Sequence, residues 1–537
     1  MKRISLFALL LFVAAGVYTG CSDDDNNTPD GDVVDERTQA IMDMLPGDDS
    51  YRVDCGDAPI VPLPSCEEEN IWGISLKDKA AYYDAMSTKY HLPQDHELFL
   101  DITLSEDIPL GDNTRPATID ASDIPAIAGH HVGDNDGYWT GMYLSSQAFR
   151  YAATEGTEKA EALKNIKTAL SGIQRQMQVT GVEGLFCRTY YSPYIQATPP
   201  EVDGTKWIAG TGEYDNLIWK ADVSKDEYSG HMFTLGVLLD VVDDEDVRTV
   251  AADLLKQVGN HLIDHNMTIV DPDGEMTKHG DVWVNSLSGL FYPGFNASLA
   301  LSWIKLAVIA TGGEEKFTHW YDRCLLKITD ESLDGCVPDG SIADIEDPYP
   351  WYQEDAFNLY FNSCDENYNN FCMGYLAMYN LAGYEENEEL KAFYQWIIEE
   401  RVWQNREDSV PRDIRVQKNS FFNFMTAARS RCGLRNAEIH QGVEEGICTL
   451  QRFIPTKHQR QTDTSDLPMS ECFNRFDDPT HIDPVPVERR RAGIFDWTRN
   501  PYNVQQRDEN LRSISAPADY LLAYWMGRYH GYIDAEW

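Results

Sequence analysis

One unit recurs along this sequence and constrains its fold more than any other feature. It consists of an apolar segment of helical length, a short polar turn and an amphipathic segment, as in "YSGHMFTLGVLLDVV", "DDED" and "VRTVAADLLKQVGNHLIDH". The first segment is apolar or small on almost every side, which is typical of a buried helix. The second carries charges at helical spacing and predicts a helix with one solvated face. The unit therefore predicts a helical hairpin with an inner and an outer helix.

Further hairpins of this kind begin at the stretches "GYWTGMYLSSQAFRYAA", "GFNASLALSWIKLAVIA", "NNFCMGYLAMYNLAGY" and "SFFNFMTAARSR". The final "ADYLLAYWMGRYHGYI" has no partner after it, but the N-terminal "LKDKAAYYDAMSTKY" is amphipathic and can close a sixth pair. Repeated hairpins bury their apolar faces by stacking on one another. We therefore predict an all-α fold, an (α/α)6 toroid with little β structure, formed by residues 46–537 as one domain.

The connections predict where such a toroid carries its function. The turns inside the hairpins are short, whereas the segments that lead to the next inner helix are long: residues 181–226, 267–294, 328–365 and 454–515. Because the inner helices run parallel, all of these long loops lie on one rim. Long loops in a compact domain are usually functional.

The N-terminus predicts export. Lys2 and Arg3 precede an apolar run that is too short to span a bilayer, so residues 1–20 are interpreted as a signal peptide. "YTGC" resembles a bacterial lipobox, in which Cys21 becomes lipidated, and the "SDDD" after it resembles the acidic tag of surface lipoproteins in Bacteroidetes. We expect residues 21–45 to form an acidic disordered tether and the protein to lie on the outer membrane, anchored in its lipid at the cell surface.

Charge and cysteine content exclude several other classes. The formal net charge of −44 repels nucleic acid, so we expect no nucleic-acid partner. Ten cysteines remain besides Cys21; Cys55 with Cys66 and Cys364 with Cys372 are close in sequence, but the sequence leaves their connectivity open. No nucleotide-binding fingerprint is present, so we expect no cofactor. The Asp-Gly turns lack the full spacing of calcium ligands, so we expect no metal. We expect the protein to be a monomer.

The densest group of chemically capable residues lies where the long loops enter the first two inner helices. Asp136 precedes the first of these helices, Asp226 and Glu227 precede the second, and His231 follows about one turn later. Neighbouring hairpins of a toroid place these two helix mouths side by side. We therefore predict that the four residues line one central pocket, in which close carboxyl groups raise the pKa of one of them, as a general acid requires.

The long loops add the groups that a sugar-binding cleft needs, because pyranose rings stack on aromatic faces and charged groups bind their hydroxyls. Asp365 and Glu366 add carboxylates at the mouth of the fourth inner helix. The predicted substrate-binding residues are Trp139, Arg188, Tyr190, His279, Trp283, Asp365, Glu366, Trp497, Arg499 and Tyr502.

The motifs "GDNDGYW", "DVSKDEYSGH", "FDWTRNPY" and "YWMGRYHG" give the chain a family resemblance. It resembles exported (α/α)-toroid proteins of Bacteroidetes that are similar to six-hairpin glycosidases, which implies the fold, surface lipoprotein status and a role in polysaccharide use. The residues favour a glycoside hydrolase with a carboxylate acid/base pair and a carbohydrate substrate. Two alternatives stay open: a polysaccharide lyase that uses His or Tyr with Arg, and a surface glycan-binding lipoprotein without catalysis.

Overall fold

The structure is a computed structural model. It describes residues 34–57, 59–110, 122, 124–284, 289, 292–328, 336, 347–360, 364, 367–404 and 412–537. Three of the residues singled out above, Cys21, Asp365 and Glu366, lie outside this described part of the chain.

Helices dominate the described residues. They are α1 (Glu36–Met44), α2 (Leu76–Met86), α3 (Asp136–Ala153), α4 (Gly156–Gln178), α5 (Lys225–Val241), α6 (Glu245–Asp264), α7 (Pro293–Ala310), α8 (Glu315–His319), α9 (Tyr349–Tyr360), α10 (Tyr368–Tyr384), α11 (Glu388–Trp396), α12 (Ser420–Arg429), α13 (Ala437–Arg452) and α14 (Ala518–Tyr529). Two of them, α8 and α11, continue as π-helical turns at Trp320–Leu325 and Ile397–Trp403.

The helices close into a ring of hairpins. The inner helices pack in the order α3, α5, α7, α10, α12 and α14, and α14 packs back against α3. Each inner helix up to α12 is followed by its outer helix, while α2 packs on α14 and completes the sixth pair. This arrangement is an (α/α)6 toroid, and the fold predicted from the hairpin repeat is confirmed.

The inner helices are buried on nearly all sides, as their sequences predict. α7 carries a single charged residue, Lys305, whose ammonium lies 3.2 Å from the buried carboxylate of Glu385. By length and mean hydropathy, 1.3 over 18 residues, α7 could also cross a membrane, but 78% of it is buried inside the protein. That burial is what the core helix of a toroid requires.

Helices α3 and α5 approach each other closely where their facing residues are small. A Cβ atom on Gly141 would lie 2.8 Å from Thr234 Oγ1, and one on Gly230 would lie 2.9 Å from Tyr138 Cα. Thr234 Oγ1 also donates a hydrogen bond of 2.7 Å to the Gly141 carbonyl across the contact. Glycine at both positions therefore lets the two backbones pack together and run parallel, with their N-termini at the same end of the ring.

The strands are short and lie in the segments that connect the hairpins. They are β1 (Asp101–Leu104), β2 (Ile127–His131), β3 (Tyr190–Tyr191), β4 (Trp207–Ala209), β5 (Ile218–Lys220), β6 (Thr268–Val270), β7 (Met276–Asp281), β8 (His458–Gln461), β9 (Met469–Phe473), β10 (Pro479–His481) and β11 (Asp508–Ile514). The largest sheet is antiparallel with strand order β2-β1-β11-β8, and Ile102 pairs with both His130 and Ile514. This sheet joins the segment before α3 to the last long loop.

The N-terminal segment is fixed to the toroid earlier in the chain than the sequence suggested. The disordered tether was expected to extend to residue 45, but α1 begins at Glu36 and its Ile41 is fully buried. Arg37 also forms an ion pair of 2.8 Å with Asp322. The boundary at residue 45 is therefore too late, because one apolar side chain and one ion pair suffice to dock α1.

The disulfides also differ from the two pairs that lie close in sequence. Cys55 bonds to Cys432 and Cys66 to Cys448, across separations of 377 and 382 residues. The other two bridges join Cys324 to Cys336 and Cys364 to Cys472, while Cys187 and Cys372 are free and buried. Proximity in sequence fails here because the closed ring brings the N-terminal segment against α12 and α13.

We expect proteolysis under non-reducing conditions to release one peptide pair that contains Cys55 and Cys432 and another that contains Cys66 and Cys448. Mass spectrometry before and after reduction checks both assignments. Because each bridge closes a long loop, a C55S/C432S variant should lose about 2–4 kcal/mol of unfolding free energy, measured by urea denaturation. A Cys55–Cys66 peptide would contradict the arrangement.

Candidate functional site

Three inner-helix mouths bring polar side chains together at the long-loop rim. Asp226 is the second residue of α5 and is half-buried. Its Oδ2 accepts a hydrogen bond of 2.8 Å from Asn369 Nδ2 on α10 and one of 3.4 Å from Asn135 Nδ2, which precedes α3. The close approach of α3 and α5 thus places an acid between two amides at the axis of the ring.

A cation from the loop between α4 and α5 completes this arrangement. Arg188 Nη1 donates to Asn135 Oδ1 at 3.3 Å, to Ser224 Oγ at 3.3 Å and to the Asp134 carbonyl at 3.4 Å. Burial raises the pKa of Asp226, and the positive charge of Arg188 opposes this rise. We call Asp134, Asn135, Arg188, Asp226 and Asn369 the rim cluster.

Asp134 is the solvent-exposed acid of the rim cluster, with 72% of its side chain accessible. It forms an ion pair with Lys220, whose own side chain is buried. Partial burial acts to raise the pKa of Asp134, but the hydrogen bond and charge of Lys220, together with Arg188, hold it below its ordinary value. The environments of Asp134 and Asp226 therefore shift their pKa values in opposite directions.

Both cations are held by the small sheet β3-β5-β4. The Arg188 backbone N–H donates to the Lys220 carbonyl at 2.9 Å, and the Lys220 N–H donates to the Thr189 carbonyl at 2.9 Å. These paired backbones fix the two positive charges side by side, each next to one acid of the rim cluster. Each acid of the rim cluster therefore lies near a positive charge that opposes a rise of its pKa.

Asp136, the first residue of α3, has a different role from the one predicted for it. Its carboxylate turns back and accepts hydrogen bonds from Gly133 N at 3.0 Å and Thr189 Oγ1 at 2.6 Å. The side chain is buried, and this burial raises its pKa to about 7. Asp136 therefore ties the entrance of α3 to the neighbouring loop.

Glu227 and His231 lie below the rim in the contact between α3 and α5. Both are completely buried, with Glu227 Oε2 3.7 Å from His231 Nε2 and accepting a hydrogen bond of 2.9 Å from Tyr138 N. Burial, then the nearby Asp136, raises the pKa of Glu227, while burial lowers that of His231 to about 3. The structure brings Asp136 close enough to Glu227 to raise its pKa, but only the half-buried Asp226 reaches the rim, and Asp136, Glu227 and His231 are enclosed.

Trp139 is the predicted tryptophan that stays partly accessible. It lies four residues after Asn135 on the same face of α3, and its ring stacks on Tyr138 at 4.4 Å and on Phe495 at 5.7 Å between centroids. An aromatic face beside carboxyl and amide groups is suited to stacking against a sugar ring.

The other predicted binding residues are spread more widely. Arg188 belongs to the rim cluster, and His279 and Arg499 are exposed. The remaining four are buried and serve packing: Tyr190, Trp283, Trp497 and Tyr502. For example, Trp497 Nε1 donates to the Asp519 carbonyl at 2.8 Å, and Arg412 lies 4.2 Å above the Tyr502 ring.

Sequence reasoning assigned no role to Asp134, Asn135 or Asn369. The first two stand in the "GDND" run and Asn369 in "ENYNNF", so the signal was a polar run at a helix mouth. Among the described residues, one group has metal-ligand geometry, His319 with Cys324 and Cys336. Because these cysteines are joined in a disulfide, they offer no thiolate to a metal.

No protein-family model and no curated protein matches this chain. Several solved structures are similar to it in outline. A family 76 glycoside hydrolase (mannosidase) of Bacteroides thetaiotaomicron aligns over 84% of this chain and 97% of its own, with 11% identity and a TM-score of 0.35.

A mutant thermostable endoglucanase of Alicyclobacillus acidocaldarius aligns over 83% of both chains, with 10% identity and a TM-score of 0.37. Endoglucanase CelQ of Clostridium thermocellum, in complex with cellotriose, aligns over 75% of this chain and 62% of its own, with 12% identity and a TM-score of 0.35. Because these sequence identities and TM-scores are low, no site is transferred from these structures, and the site is interpreted from its own geometry.

The raised pKa of Asp136 makes folding stability depend on pH. Its carboxyl group titrates near 3.8 when unfolded and near 7 when folded, so its contribution is fully present below pH 3.8 and is lost as the pH rises through about 7. Asp136→Asn removes this loss. The unfolding free energy of D136N relative to wild type should therefore increase from pH 4.5 to pH 7.5, by at most about 1.4 kcal/mol per pH unit.

Urea denaturation at both pH values measures this difference. D215N, which changes an exposed aspartate of the loop between α4 and α5, is the control and should follow the wild type at both values. If the difference in unfolding free energy between D136N and wild type is the same at both pH values, the Asp136 carboxyl group does not have the raised pKa.

Proposed function

We propose that this protein is a glycoside hydrolase whose reaction centre is the rim cluster. The observation that carries the proposal is two acids of the rim cluster in different surroundings: Asp226 is half-buried between two amides, and Asp134 is exposed beside Lys220. Their pKa values are shifted in opposite directions, upward for Asp226 and downward for Asp134. Glycosidic bond cleavage needs one protonated and one ionised carboxyl group. Asp226 is assigned as the general acid and Asp134 as the ionised partner.

In this mechanism Asp226 gives its proton to the oxygen of the leaving sugar while the glycosidic bond breaks. The ionised Asp134 acts from the other face of the ring in one of two ways. It takes a proton from a water molecule that bonds to the anomeric carbon, or it bonds to that carbon itself. In the second case water then cleaves the glycosyl ester and gives its proton to Asp226. Asn135 and Asn369 hold the Asp226 carboxyl group in place through their amide donors. After release of the leaving sugar, Asp226 is reprotonated from water.

A polysaccharide or oligosaccharide fits this site better than a small free sugar does. Trp139 is partly accessible one helical turn from Asn135, and its ring contacts the buried Phe495 of the last long loop. Several sugar units can therefore lie across the rim, with one of them at the two acids.

A glycan-binding protein without catalysis is the second candidate. It is favoured by the ion pair of Asp134 with Lys220, which occupies the carboxylate that a hydrolase needs to have available. A polysaccharide lyase is less well supported, because Tyr190 is buried and donates its hydroxyl to the His96 carbonyl. Release of unsaturated uronates remains a separate outcome of the test below.

We expect D226N and D134N each to lower kcat/KM by about 10²–10⁴-fold, which is the usual contribution of general acid–base catalysis. In the wild type, kcat/KM should fall on the alkaline side at a pH above the ordinary aspartate range, because the pKa of Asp226 is raised. Activity is measured on a panel of polysaccharides, by the reducing ends that are released and by the absorbance of unsaturated products.

D215N is the matched control, because it changes an exposed aspartate of the same loop that lies outside the rim cluster. It should keep the wild-type rate. Binding of a glycan with neither product signal would replace the hydrolase by the glycan-binding protein, and full activity in both D226N and D134N would remove the rim cluster as the reaction centre.

We further propose that Cys21 anchors the protein in the outer membrane and displays it at the cell surface. The support is the sequence alone, "YTGC" followed by "SDDD". Cys21→Ser should move the protein from the membrane fraction to the soluble fraction, because the acyl chains attach at this sulfur. Immunoblots of both fractions, and of whole cells treated with protease, measure this; an unchanged membrane fraction would contradict the anchor.

A further inference from the structure

The last long loop contains a basic segment in an otherwise acidic protein. Residues 484–507 read "PVPVERRRAGIFDWTRNPYNVQQR", with five arginines against one glutamate and one aspartate, a net charge of +3 in a chain of net charge −44. This local excess of positive charge stands out, because the chain as a whole has twice as many acidic as basic residues.

Part of this segment encloses a cavity of about 220 Å³. Three guanidinium groups line it, from Arg490, Arg491 and Arg499, together with the carboxylate of Asp496. Side-chain amides supply the remaining polar groups: Gln461, Asn500, Asn503 and Gln505. The volume is below that of a site for a whole drug-sized ligand and suits one substituent with part of a ring.

The carboxylate in the cavity balances these arginines only in part, because one negative charge remains where Asp496 and Asp519 share Lys457. Asp496 Oδ2 lies 3.1 Å from Lys457 Nζ, and both side chains are buried. The nearest arginine to its other oxygen is Arg499, with Nε at 3.7 Å. Three guanidinium groups therefore face one carboxylate that a lysine already binds.

Arg490 is a buried cation whose charge nearby acids compensate only in part: burial lowers its pKa to about 10, although the charges of Asp496, Tyr502 and Glu488 oppose this shift. Its side chain donates to two backbone carbonyls, those of Val485 and Gln417, both at 2.8 Å. It is 7% exposed, and within the described residues it forms no ion pair with a carboxylate. Burying a charge is unfavourable unless an opposite charge compensates it, so a bound anion would complete this site.

The other two guanidinium groups are available to such an anion. Arg491 is exposed and forms neither an ion pair nor a hydrogen bond with the described part of the chain. Arg499 packs over Gly493, where a Cβ atom would lie 2.6 Å from Arg499 Cζ. The missing side chain at residue 493 thus allows Arg499 to lie against the loop next to Asp496.

We propose that this cavity is a subsite for the anionic group, a carboxylate or a sulfate ester, of an acidic glycan. The proposal rests on the proposed function, because the subsite adjoins the rim: Phe495, next to Asp496, stacks on Trp139 at 5.7 Å. Planar guanidinium groups bind such oxyanions through paired hydrogen bonds. A sugar stacked on Trp139 can therefore place an acidic substituent of the same chain among the three arginines.

The test measures binding of inorganic sulfate and, separately, of galacturonate by equilibrium dialysis at constant ionic strength. Wild type should bind at least one of them, and R491A/R499A should bind it at least about tenfold more weakly, since both arginines are exposed and their removal leaves the core intact. The two ligands distinguish a sulfate ester from a carboxylate. R475A, which removes an exposed arginine of the same loop outside the cavity, is the control and should bind like wild type.

Equal binding by wild type and R491A/R499A would overturn the subsite, as would an equal loss in R475A, which would indicate a general charge effect. Hydrolysis of uncharged glycans by a wild type that binds neither anion would overturn the subsite and leave the hydrolase standing. Anion binding that R491A/R499A loses, in a protein that cleaves no glycan of the panel, would support the subsite and remove the hydrolase.

Discussion

The backbone contact between α3 and α5 determines the geometry of the rim. Glycines at 141 and 230 allow this contact, and a side chain at either position would collide with the facing helix. The same contact brings Asn135 to 3.4 Å from Asp226, although 91 residues separate them. If the two helices moved apart by the width of a methyl group, the amide would lose the acid that it holds. The chemistry of the site therefore depends on two residues that have no side chain.

The second requirement is a charge arrangement that the helices alone do not supply. Lys220 ends β5 and Arg188 lies just before β3, and a backbone hydrogen bond of 2.9 Å joins the two residues. A rigid pair of cations next to two acids gives each acid a different electrostatic environment. Below them, Glu227 and His231 are enclosed by apolar groups such as Phe186, whose ring lies 4.2 Å from that of His231. The rim is thus polar and partly accessible, while the layer directly beneath it is dry.

The sequence predicted the toroid well because burial on all sides leaves a strong periodic signal. It was less informative about the site, since Asp134, Asn135 and Asp136 are equally polar. Which of them faces the rim depends on the backbone of the turn, where Asn135 has φ −133° and ψ 38° and α3 begins only at Asp136. The aromatic residues of the long loops also predicted more sugar-stacking faces than are accessible, because residues such as Trp497 pack inside these loops. Neither a turn conformation nor the packing of a loop is encoded in local periodicity.

The bridges of Cys55 and Cys66 to Cys432 and Cys448 have a consequence for how the chain is made. As the chain is synthesised, both N-terminal cysteines are made before their partners, which follow after more than 370 residues. During that interval the first hairpins can stack on one another, but the ring stays open and two thiols stay exposed to any other cysteine that emerges. These two bridges can therefore form only after residues 432 and 448 have been made. For this protein, thiol chemistry in the compartment of folding matters as much as the packing of its helices.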